Sequence, residues 1–325
     1  MNIGVAWGGY TSEKIISKMS GELVYNVLKI KHKVLYSIEF TENEWIVNDG
    51  NGFKSSINKK DFSFFKNNIK ITFDLIINMI HGAPGENGEL ASYLEKLKIA
   101  HTSCDSFSAE LTYNKKKCLK AAKSIDIPIA QNLKISLKEP YDLEKKFSEI
   151  GFPCFVKPNN SGSSFGVFKV NSFKDLKTAI IKSLQEDDEV LIESYIEGRE
   201  FSVGIMNWND LIKVLPITEI ISENDFFDYE AKYKGKSKEI TPAIISDDWK
   251  RSLQNMTIKL YKYLNLTGIC RAEFIIKDNI PYFLEINTVP GMTEKSIIPQ
   301  QLNSAGITLN EFFENLISVS IRKNK

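Results

Sequence analysis

The sequence predicts an α/β protein of mixed α+β character with two or three domains. Three observations lead to this prediction. The chain has 325 residues, of which 42% are hydrophobic and 26% charged, an ordinary balance for a soluble globular protein with sizeable cores. Short apolar runs, glycine loops and helical patterns alternate through the N-terminal part, as in parallel α/β domains. The C-terminal part carries apolar runs in pairs, which is typical of β-hairpins.

The first element is an apolar run at 3–7 that ends in two glycines, and it predicts a buried strand followed by a tight turn. Ser12 is positioned to cap the helix that comes next. The apolar positions of this helix are expected on one face. They are Ile15, Ile16, Met19, Leu23, Val24, Val27 and Leu28.

Two more strands are predicted at 33–40 and 73–79. The second is followed by a glycine-rich loop at 81–88 and then by a helix at 90–97. Strand, glycine loop, helix and strand in this order favour a small parallel α/β domain over residues 1–103.

The central part, residues 104–193, follows a different pattern. A helix near its start ends before a proline, and two strands flank a polar loop further on. The expected elements are a helix at 115–124, strands at 154–157 and 166–170, a helix at 173–184 and a strand at 189–194.

The third part, residues 194–325, mixes strands and helices. An acidic and aromatic stretch occupies residues 223–233. The expected elements are strands at 201–206 and 211–218, a helix near 249–264, a hairpin at 269–287 and a C-terminal helix from about 308.

Composition excludes several classes of function. The net charge is +1, with 42 basic and 41 acidic residues, so we expect neither a nucleic acid nor an anionic membrane as partner. The four cysteines, at 104, 118, 154 and 270, show neither C-x-x-C spacing nor the density of a disulfide framework. We also expect no signal peptide and no membrane span, because no apolar run is long enough.

The polar loop at 159–165, within the stretch "KPNNSGSSFGV", lies between two predicted strands. Such a loop can fold its backbone N–H groups over an anion, and its serine hydroxyls add donors. Lys157 enters the loop and would supply a positive charge. An ordinary β-turn loop is the alternative, and the loop alone does not decide between the two.

The hairpin at 269–287 places Arg271 and Glu273 on one strand and Glu285 and Asn287 on the other. Residues two apart share a face of a strand. With a three-residue turn at 278–280, Glu273 would lie opposite Glu285. Two opposed carboxylates repel unless a cation lies between them, and carboxylate and amide oxygens suit Mg²⁺ that bridges phosphates. A solvated polar face is the alternative; we favour the metal.

The stretch 189–203 runs from an apolar strand through a short linker into a second strand. Exposed backbone groups at such a crossing could hold a purine ring, and Glu200 could accept hydrogen bonds from a ribose. Acidic residues at strand ends are more often surface residues, so this signal is weak by itself.

Taken in order, these stretches resemble the ATP-grasp enzymes and, among them, the D-alanine–D-alanine ligase family. The likeness covers nearly the whole chain and implies the ATP-grasp fold. The motifs that carry it are GGYTSE at 8–13, HG at 81–82 with GENG at 85–88, KP at 157–158 with GSS at 162–164, EAKY at 230–233, RAEF at 271–274, and EIN at 285–287 with PGMT at 290–293.

The resemblance implies that the loop at 159–165 is a lid over the triphosphate. It implies an ATP site formed by Lys115, Lys157, Ser164, Glu193, Ser194, Tyr195, Ile196, Glu200 and Lys232. It also implies two Mg²⁺ or Mn²⁺ ions, held by Glu273, Glu285 and Asn287.

For the amino-acid substrates, the resemblance implies that Glu13 orients the ammonium of the first D-alanine, in a network with Ser163 and Tyr233. His81 would lie near this substrate. Arg271 and the Gly291 N–H would stabilise the oxyanion of the tetrahedral intermediate. Ser296 and the Ile297 N–H would bind the carboxylate of the second D-alanine.

The sequence departs from the family pattern at four positions that are expected to affect local detail only. Many relatives have aspartate at the positions of Glu273 and Asn114. Ala91 stands where glutamine is frequent, and Ser161 where glutamate is usual.

The implied reaction is the ATP-dependent joining of two D-alanines through an acyl phosphate, for peptidoglycan precursors, by a cytoplasmic homodimer. Three alternatives stay open. The first is another ATP-grasp ligase, such as a D-alanine–D-lactate ligase, although Tyr233 favours the dipeptide. The second is a non-catalytic nucleotide-binding module, against which the intact hairpin argues. The third, a dinucleotide-binding dehydrogenase, is weakest because 5–10 does not match G-x-G-x-x-G.

Overall fold

A computed structural model describes residues 1–136, 147–222 and 237–323 of the chain. Lys232 and Tyr233, together with the acidic and aromatic stretch at 223–233, lie outside the described residues. Within the described ranges, every helix is too short or too polar to cross a lipid bilayer.

The first sheet has six strands in the order β4-β3-β2-β1-β7-β8. Its centre is parallel, as predicted, because β1 pairs in parallel with both β2 and β7, and β7 with β8. The strands β3 and β4 extend one edge in antiparallel fashion, and β5 and β6 form a separate hairpin. The bounds are β1 Ile3–Gly8, β2 Leu35–Phe40, β3 Trp45–Asn48, β4 Lys54–Ser56, β5 Phe64–Lys66, β6 Ile69–Ile71, β7 Leu75–Asn78 and β8 Ala100–His101.

The helix α1, Lys14–Leu28, buries a narrower stripe than the sequence predicted. Ile15 and Met19 are exposed by 65% and 53%. Small residues take their place against the sheet. At Gly21 the approach is so close that an added Cβ would lie 2.5 Å from the Trp7 ring. Trp7 therefore packs on the helix backbone. Ser12 does not cap the helix; the N-cap position is Glu13, whose side chain makes no capping bond.

The second sheet is antiparallel, with strands in the order β11-β10-β12-β9. The predicted strands on either side of the polar loop are β10 and β11, and they pair with each other. The helix α5 covers this sheet through Leu176 and Ile180, which share its core. The bounds are β9 Asn132–Ser136, β10 Cys154–Pro158, β11 Phe168–Val170, β12 Glu189–Ser194 and α5 Phe173–Ser183.

The third sheet is antiparallel in the order β16-β15-β13-β17-β18, with β14 pairing on β13. The single strand predicted at 211–218 is wrong: β14 and β15 are separate strands, and Pro216 lies between them, where it cannot donate a ladder hydrogen bond. The bounds are β13 Arg199–Trp208, β14 Leu211–Val214, β15 Thr218–Ser222, β16 Ser237–Ile240, β17 Ile269–Lys277 and β18 Ile280–Asn287.

The remaining helices connect the sheets. Cys118 and Leu119 of α4 share a core with the third sheet, and Phe312 and Phe313 of α8 share one with Ile3 of the first sheet. Both ends of the chain therefore meet in one core. The bounds are α2 Glu89–Lys96, α3 Ser106–Tyr113, α4 Lys115–Ser124, α6 Asp247–Tyr263, α7 Ile297–Ser304 and α8 Leu309–Lys323.

Candidate active site

The hairpin of β17 and β18 places the predicted residues opposite each other. Arg271 pairs with Asn287, and Glu273 with Glu285. The predicted three-residue turn is wrong, because only Asp278 and Asn279 form the turn, both with positive φ.

A β-bulge after Phe283 restores the predicted pairing. Phe274 pairs with Phe283, whereas the next residue on β17, Glu273, pairs with Glu285. Leu284 is therefore the extra residue on β18. Since a shift of one residue turns a side chain to the other face of the sheet, this bulge brings Glu285 onto the face of Glu273.

Basic groups already accompany both carboxylates. Arg271 forms an ion pair with Glu273, which is buried, and the Lys115 Nζ lies 3.5 Å from a carboxylate oxygen of Glu285. The protein thereby offsets the repulsion that the sequence predicted between Glu273 and Glu285. A cation that bound both carboxylates would have to compete with these partners.

The donor set fits Mg²⁺ or Mn²⁺ only in part. Two carboxylates and an amide are hard oxygen ligands, as these ions prefer. The described part of the chain holds no group of three or more His, Cys, Asp or Glu side chains that could bind a metal by themselves. Two ions at Glu273, Glu285 and Asn287 would therefore need further oxygens, and nucleotide phosphates can supply them.

Glu86, within the GENG motif at 85–88, also belongs to the site, although it was not among the predicted site residues. Its buried carboxylate accepts the Gly82 N–H at 2.7 Å. The Asn287 amide fits between Glu86 and Arg271, with its nitrogen 2.8 Å from Glu86 and its oxygen 3.1 Å from Arg271. Burial, reinforced by the nearby Glu13, raises the pKa of Glu86 to about 8. The sequence feature that could have indicated Glu86 is the pair of glycines around it in the GENG motif.

The base of the polar loop is anchored by its asparagines. The buried Asn159 accepts the backbone N–H of Lys115 on its carbonyl at 3.0 Å and that of Lys116 on its side chain at 2.9 Å. Asn160 bonds Asp187 through its backbone N–H at 2.7 Å. The start of α4 and the loop therefore hold each other in place.

Asn114, one of the departures from the family pattern, contributes to this anchor. Its side chain caps α4 by accepting the Lys117 N–H at 3.0 Å, and it donates to Asn160 at 2.9 Å. Lys115, the next residue, donates from its Nζ to the carbonyl of Ser161. An asparagine can make both contacts of position 114, since its amide both donates and accepts.

The tip of the loop reaches the N-terminal part of the chain. The Ser163 hydroxyl donates to Glu13 at 2.6 Å. Ser163 and Ser164 have φ values of 49° and 58°, in the left-handed region that serine seldom adopts. Strained backbone of this kind is typical of functional loops and persists because surrounding contacts hold it.

Gly162 must lack a side chain for the loop to reach Glu13. A Cβ at this position would lie 2.7 and 2.8 Å from the two carboxylate oxygens of Glu13. We expect Gly162→Ala to lower kcat/KM by about tenfold or more, because a shift of the reacting groups by an ångström is costly. Steady-state kinetics with a melting curve test this; unchanged kinetics would show that the loop need not approach Glu13.

A cavity of about 520 Å³ opens between the second and third sheets. Most of the residues that were predicted to bind the nucleotide line this cavity. Its apolar part is formed by Phe155, Val167, Ile275 and Leu284. The predicted residues that line it are Lys115, Lys157, Ser163, Ser164, Glu193, Ser194, Tyr195, Ile196, Glu200, Glu273 and Glu285.

Lys157 and Glu193 form an ion pair on the wall of this cavity, with side chains exposed by only 12% and 7%. Burial lowers the pKa of Lys157, but the carboxylates of Glu193 and Glu285 outweigh it and raise the pKa above its usual value. The side chain therefore stays charged and can meet an anionic ligand.

The cavity also offers an aromatic end. Phe155 and Tyr195 approach each other with ring centroids 5.9 Å apart, and the Lys169 Nζ lies 4.4 Å from the centre of the Tyr195 ring. A flat heteroaromatic group can pack on such side chains while backbone groups of the 194–196 linker recognise its edge.

His81 lies buried at the junction between α1 and the loop after β18. Its Nε2 is 3.1 Å from the Ser20 hydroxyl, which accepts the Met292 N–H at 3.1 Å, and the ring also bonds the backbone of Val289. Burial, aided by the charge of Arg271, lowers the pKa of His81 to about 4. The ring is therefore neutral at neutral pH.

Gly291 and Ser296 lie side by side in the same loop. A Cβ on Gly291 would be 2.9 Å from the Ser296 hydroxyl, which accepts the Thr293 N–H at 3.0 Å. Ser296 precedes α7, so the N–H groups of Ile297 and its neighbours stand at a helix N-terminus, which favours negative charge. This arrangement suits a carboxylate.

Family models match both parts of the chain. The model described as D-ala D-ala ligase N-terminus matches residues 2–104, and the one described as D-ala D-ala ligase C-terminus matches residues 122–318. A D-alanine–D-alanine ligase of Flavobacterium johnsoniae is 45% identical over 320 residues, with 98% of this chain and 99% of the relative covered. One of Flavobacterium psychrophilum is 42% identical, with 99% and 98% covered.

Solved structures give the same result. D-alanine–D-alanine ligase from Bacillus anthracis is 29% identical with a TM-score of 0.80, and its complex with ATP is 26% identical with a TM-score of 0.79. Both comparisons cover 100% of this chain and 98% of the other. D-alanyl-alanine synthetase A from Vibrio cholerae is 25% identical with a TM-score of 0.87, with 99% and 98% covered.

Proposed function

The chain belongs to the D-alanine–D-alanine ligase family, and on that premise we propose a role for each of its site residues. It is an ATP-dependent ligase of the ATP-grasp fold that joins two D-alanines, and the dipeptide is used in peptidoglycan synthesis. The observation that carries the assignment of roles is the cavity where Lys115, Lys157 and the paired carboxylates of the hairpin meet.

ATP occupies this cavity in our proposal. Its base lies toward Phe155 and Tyr195, with the 194–196 backbone and Glu193 at its edge and Glu200 at the ribose. Lys115, Lys157 and Ser164 hold the phosphates. Glu273, Glu285 and Asn287 would hold two Mg²⁺ or Mn²⁺ ions, whose charge would offset that of the phosphates. Lys232 is proposed as a further nucleotide contact from outside the described residues.

The first D-alanine lies between the loop and the N-terminal part. Glu13, which the Ser163 hydroxyl holds at 2.6 Å, binds its ammonium, with Tyr233 proposed as a further member of the network. The substrate carboxylate attacks the γ-phosphorus of ATP, an acyl phosphate forms and ADP leaves. The loop at 159–165 excludes water while the acyl phosphate exists.

The second D-alanine binds at the start of α7, with its carboxylate on the Ser296 hydroxyl and the Ile297 N–H. Its amine attacks the acyl carbon, and Arg271 and the Gly291 N–H stabilise the oxyanion. The tetrahedral intermediate collapses to the dipeptide and phosphate, and the amine loses a proton. His81 acts as a positioning residue in this proposal, since it ties the loop that holds Gly291 to α1 through Ser20.

We expect Mg²⁺-dependent release of ADP with D-alanine and at least about 100-fold less with L-alanine, because Glu13 and Ser163 fix the ammonium and only one enantiomer then presents its carboxylate to ATP. The measurement is ADP release with D-alanine, L-alanine and D-lactate, alone and in pairs. Equal rates for both alanines would contradict the substrate assignment. Faster turnover of D-alanine with D-lactate than of D-alanine alone would identify a depsipeptide ligase.

We also propose an organisation into three parts, 1–103, 104–193 and 194–325. A homodimer is proposed as the assembly, since the exposed Ile15 and Met19 lie one helical turn apart on α1 and a partner would cover them. The cytoplasm, where ATP is available, is the proposed location. Light scattering of the native protein and of Met19→Glu tests the assembly: a monomeric native protein would contradict it.

A further inference from the structure

The start of α7 holds the proposed site of the second substrate, and its geometry depends on one peptide group. The carbonyl of Lys295 and the N–H of Ser296 belong to the same peptide. The N–H donates to the Thr293 carbonyl at 2.9 Å, which closes a tight turn before the helix. Whatever orients this peptide also orients the Ser296 hydroxyl and the first N–H groups of α7.

Gln300 reaches back to this peptide from the first turn of α7. Its Nε2 donates to the Lys295 carbonyl at 3.0 Å and also to the carboxylate of Glu239. Glu239 stands 61 residues away in the chain, on the edge strand β16. One amide group therefore links the edge of the third sheet to the peptide that precedes Ser296.

Packing places β16 beside α7 independently of this link. Glu239 pairs with Ile220 across the β15–β16 ladder. Ile220 and Ile297 are both buried and pack against each other. The neighbour of Glu239 on the sheet thus supports the residue whose N–H is proposed to bind the second carboxylate.

The charge of Glu239 determines which end of the Gln300 side-chain amide faces it. An ionised carboxylate only accepts hydrogen bonds, whereas a glutamine amide has one end that donates and one that accepts. Glu239 therefore holds the Gln300 nitrogen toward itself, and the second hydrogen of that nitrogen remains for Lys295. A neutral amide at position 239 would let the Gln300 side chain turn over.

Glu239 is partly buried in this position. Burial raises the pKa of Glu239, while the hydrogen bond from Gln300 and the charge of Arg271 oppose this effect.

We propose that Glu239 and Gln300 are a pair of positioning residues that sets the affinity of the ligase for its second amino-acid substrate. The pair acts through the Lys295–Ser296 peptide and does not touch the reacting atoms. This inference rests on the proposed function, because it assumes that Ser296 and Ile297 bind the second carboxylate. Neither Glu239 nor Gln300 lines the cavity proposed for ATP, so we expect their variants to act on the second subsite and not on the binding of ATP.

The test compares Glu239→Gln, Gln300→Met and the double variant, all of nearly unchanged size. Initial rates are measured at saturating Mg²⁺–ATP over D-alanine concentrations that resolve the two binding steps. We expect the KM of the second D-alanine to rise about tenfold in each single variant, as for the loss of one well-placed hydrogen bond. The double variant should lose no more than either single variant, because the two residues form one link.

The KM of the first D-alanine, the KM of ATP and the melting temperature should stay at their native values. Glu294→Gln is the matched control, since Glu294 is an exposed carboxylate two residues before Ser296 and the variant removes the same charge from the same region. It should leave both D-alanine constants unchanged. A purely structural role would lower the melting temperature and shift both constants together, and that result would overturn the proposal.

Ser296→Ala separates the inference from its premise. If this variant raises the KM of the second D-alanine while the Glu239 and Gln300 variants do not, the pair has no positioning role and the inference alone is overturned. If Ser296→Ala leaves that constant unchanged, the proposed second subsite is wrong and the inference falls with it. Additive effects in the double variant would also overturn the single link.

Discussion

Replacing Glu285 by glutamine is expected to lower turnover by about a thousandfold, the scale of losing one preorganised electrostatic contact to a transition state. Glu285 faces Glu273 across the hairpin and lies 3.5 Å from Lys115, so its carboxylate is common to the proposed metal site and to the phosphate lysine. The amide keeps the shape and removes the charge. Single-turnover rates of ADP formation with saturating D-alanine measure the effect.

The same variant should leave the free energy of unfolding within about 1 kcal/mol of the native value when no ligand is present, because the lost attraction to Lys115 and the relieved repulsion from Glu273 oppose each other. Mg²⁺–ADP at a hundred times its Kd should stabilise the native protein by about 2.7 kcal/mol and the variant much less. Melting curves in EDTA and in Mg²⁺–ADP measure both.

Asp278→Asn is the matched control for Glu285→Gln. Asp278 is an exposed residue of the two-residue turn of the same hairpin, and asparagine tolerates its positive φ. This variant should keep activity and ligand stabilisation. If Glu285→Gln kept full stabilisation by Mg²⁺–ADP, the metal site would lie elsewhere; if it were clearly less stable in EDTA, Glu285 would have a structural role.

Lys157→Met is expected to lower kcat/KM for ATP by about 100-fold to 1,000-fold, because the buried ammonium meets phosphate charge that grows in the transition state. The first D-alanine should bind with nearly native affinity, since its proposed partner is Glu13. Initial rates as a function of ATP and of D-alanine separate the two effects. Native ATP kinetics in a folded variant would show that Lys157 is not a phosphate ligand.

Stability needs its own control here, because Lys157→Met leaves the carboxylate of Glu193 buried and without its ion-pair partner, a change that typically costs about 3–5 kcal/mol. Adding Glu193→Gln removes that charge and should recover most of the stability but not the use of ATP. Lys134→Met is the matched control: it breaks the Lys134–Glu189 ion pair between β9 and β12 of the same sheet, and neither residue lines the cavity.

Most of the secondary structure could be predicted from periodicity alone. The apolar runs at 3–7 and 189–194 and the paired runs at 269–287 all correspond to strands of the structure. The helix face of α1 was predicted less well. Hydrophobicity marked Ile15 and Met19, but the small residues Ser17, Ser20 and Gly21 pack against the sheet, because a helix that lies close to its sheet needs short side chains at the contact.

In the candidate site, too, some features could be predicted from the sequence and others could not. The sequence predicted the pairing of Glu273 with Glu285 on one face, but from a three-residue turn that does not exist. A two-residue turn and a bulge at Leu284 produce the pairing. The predicted turn is one residue too long, and the bulge, which was not predicted, adds one residue to β18. The two differences cancel, so Glu273 and Glu285 pair as predicted. Glu86 and the link from Glu239 to Gln300 gave no periodic signal of their own.

By itself, the sequence determined which residues carry charge, hydroxyl groups or glycine flexibility, and on which side of a strand or before which helix they stand. These properties depend on neighbours in the chain, so spacing and composition report them. The tertiary structure alone decided that Ser163 meets Glu13 across 150 residues and that Lys157 pairs with Glu193 inside the cavity. Such contacts depend on how the three sheets pack, which no local pattern encodes, because each sheet buries its apolar face against whatever complementary surface the rest of the chain provides.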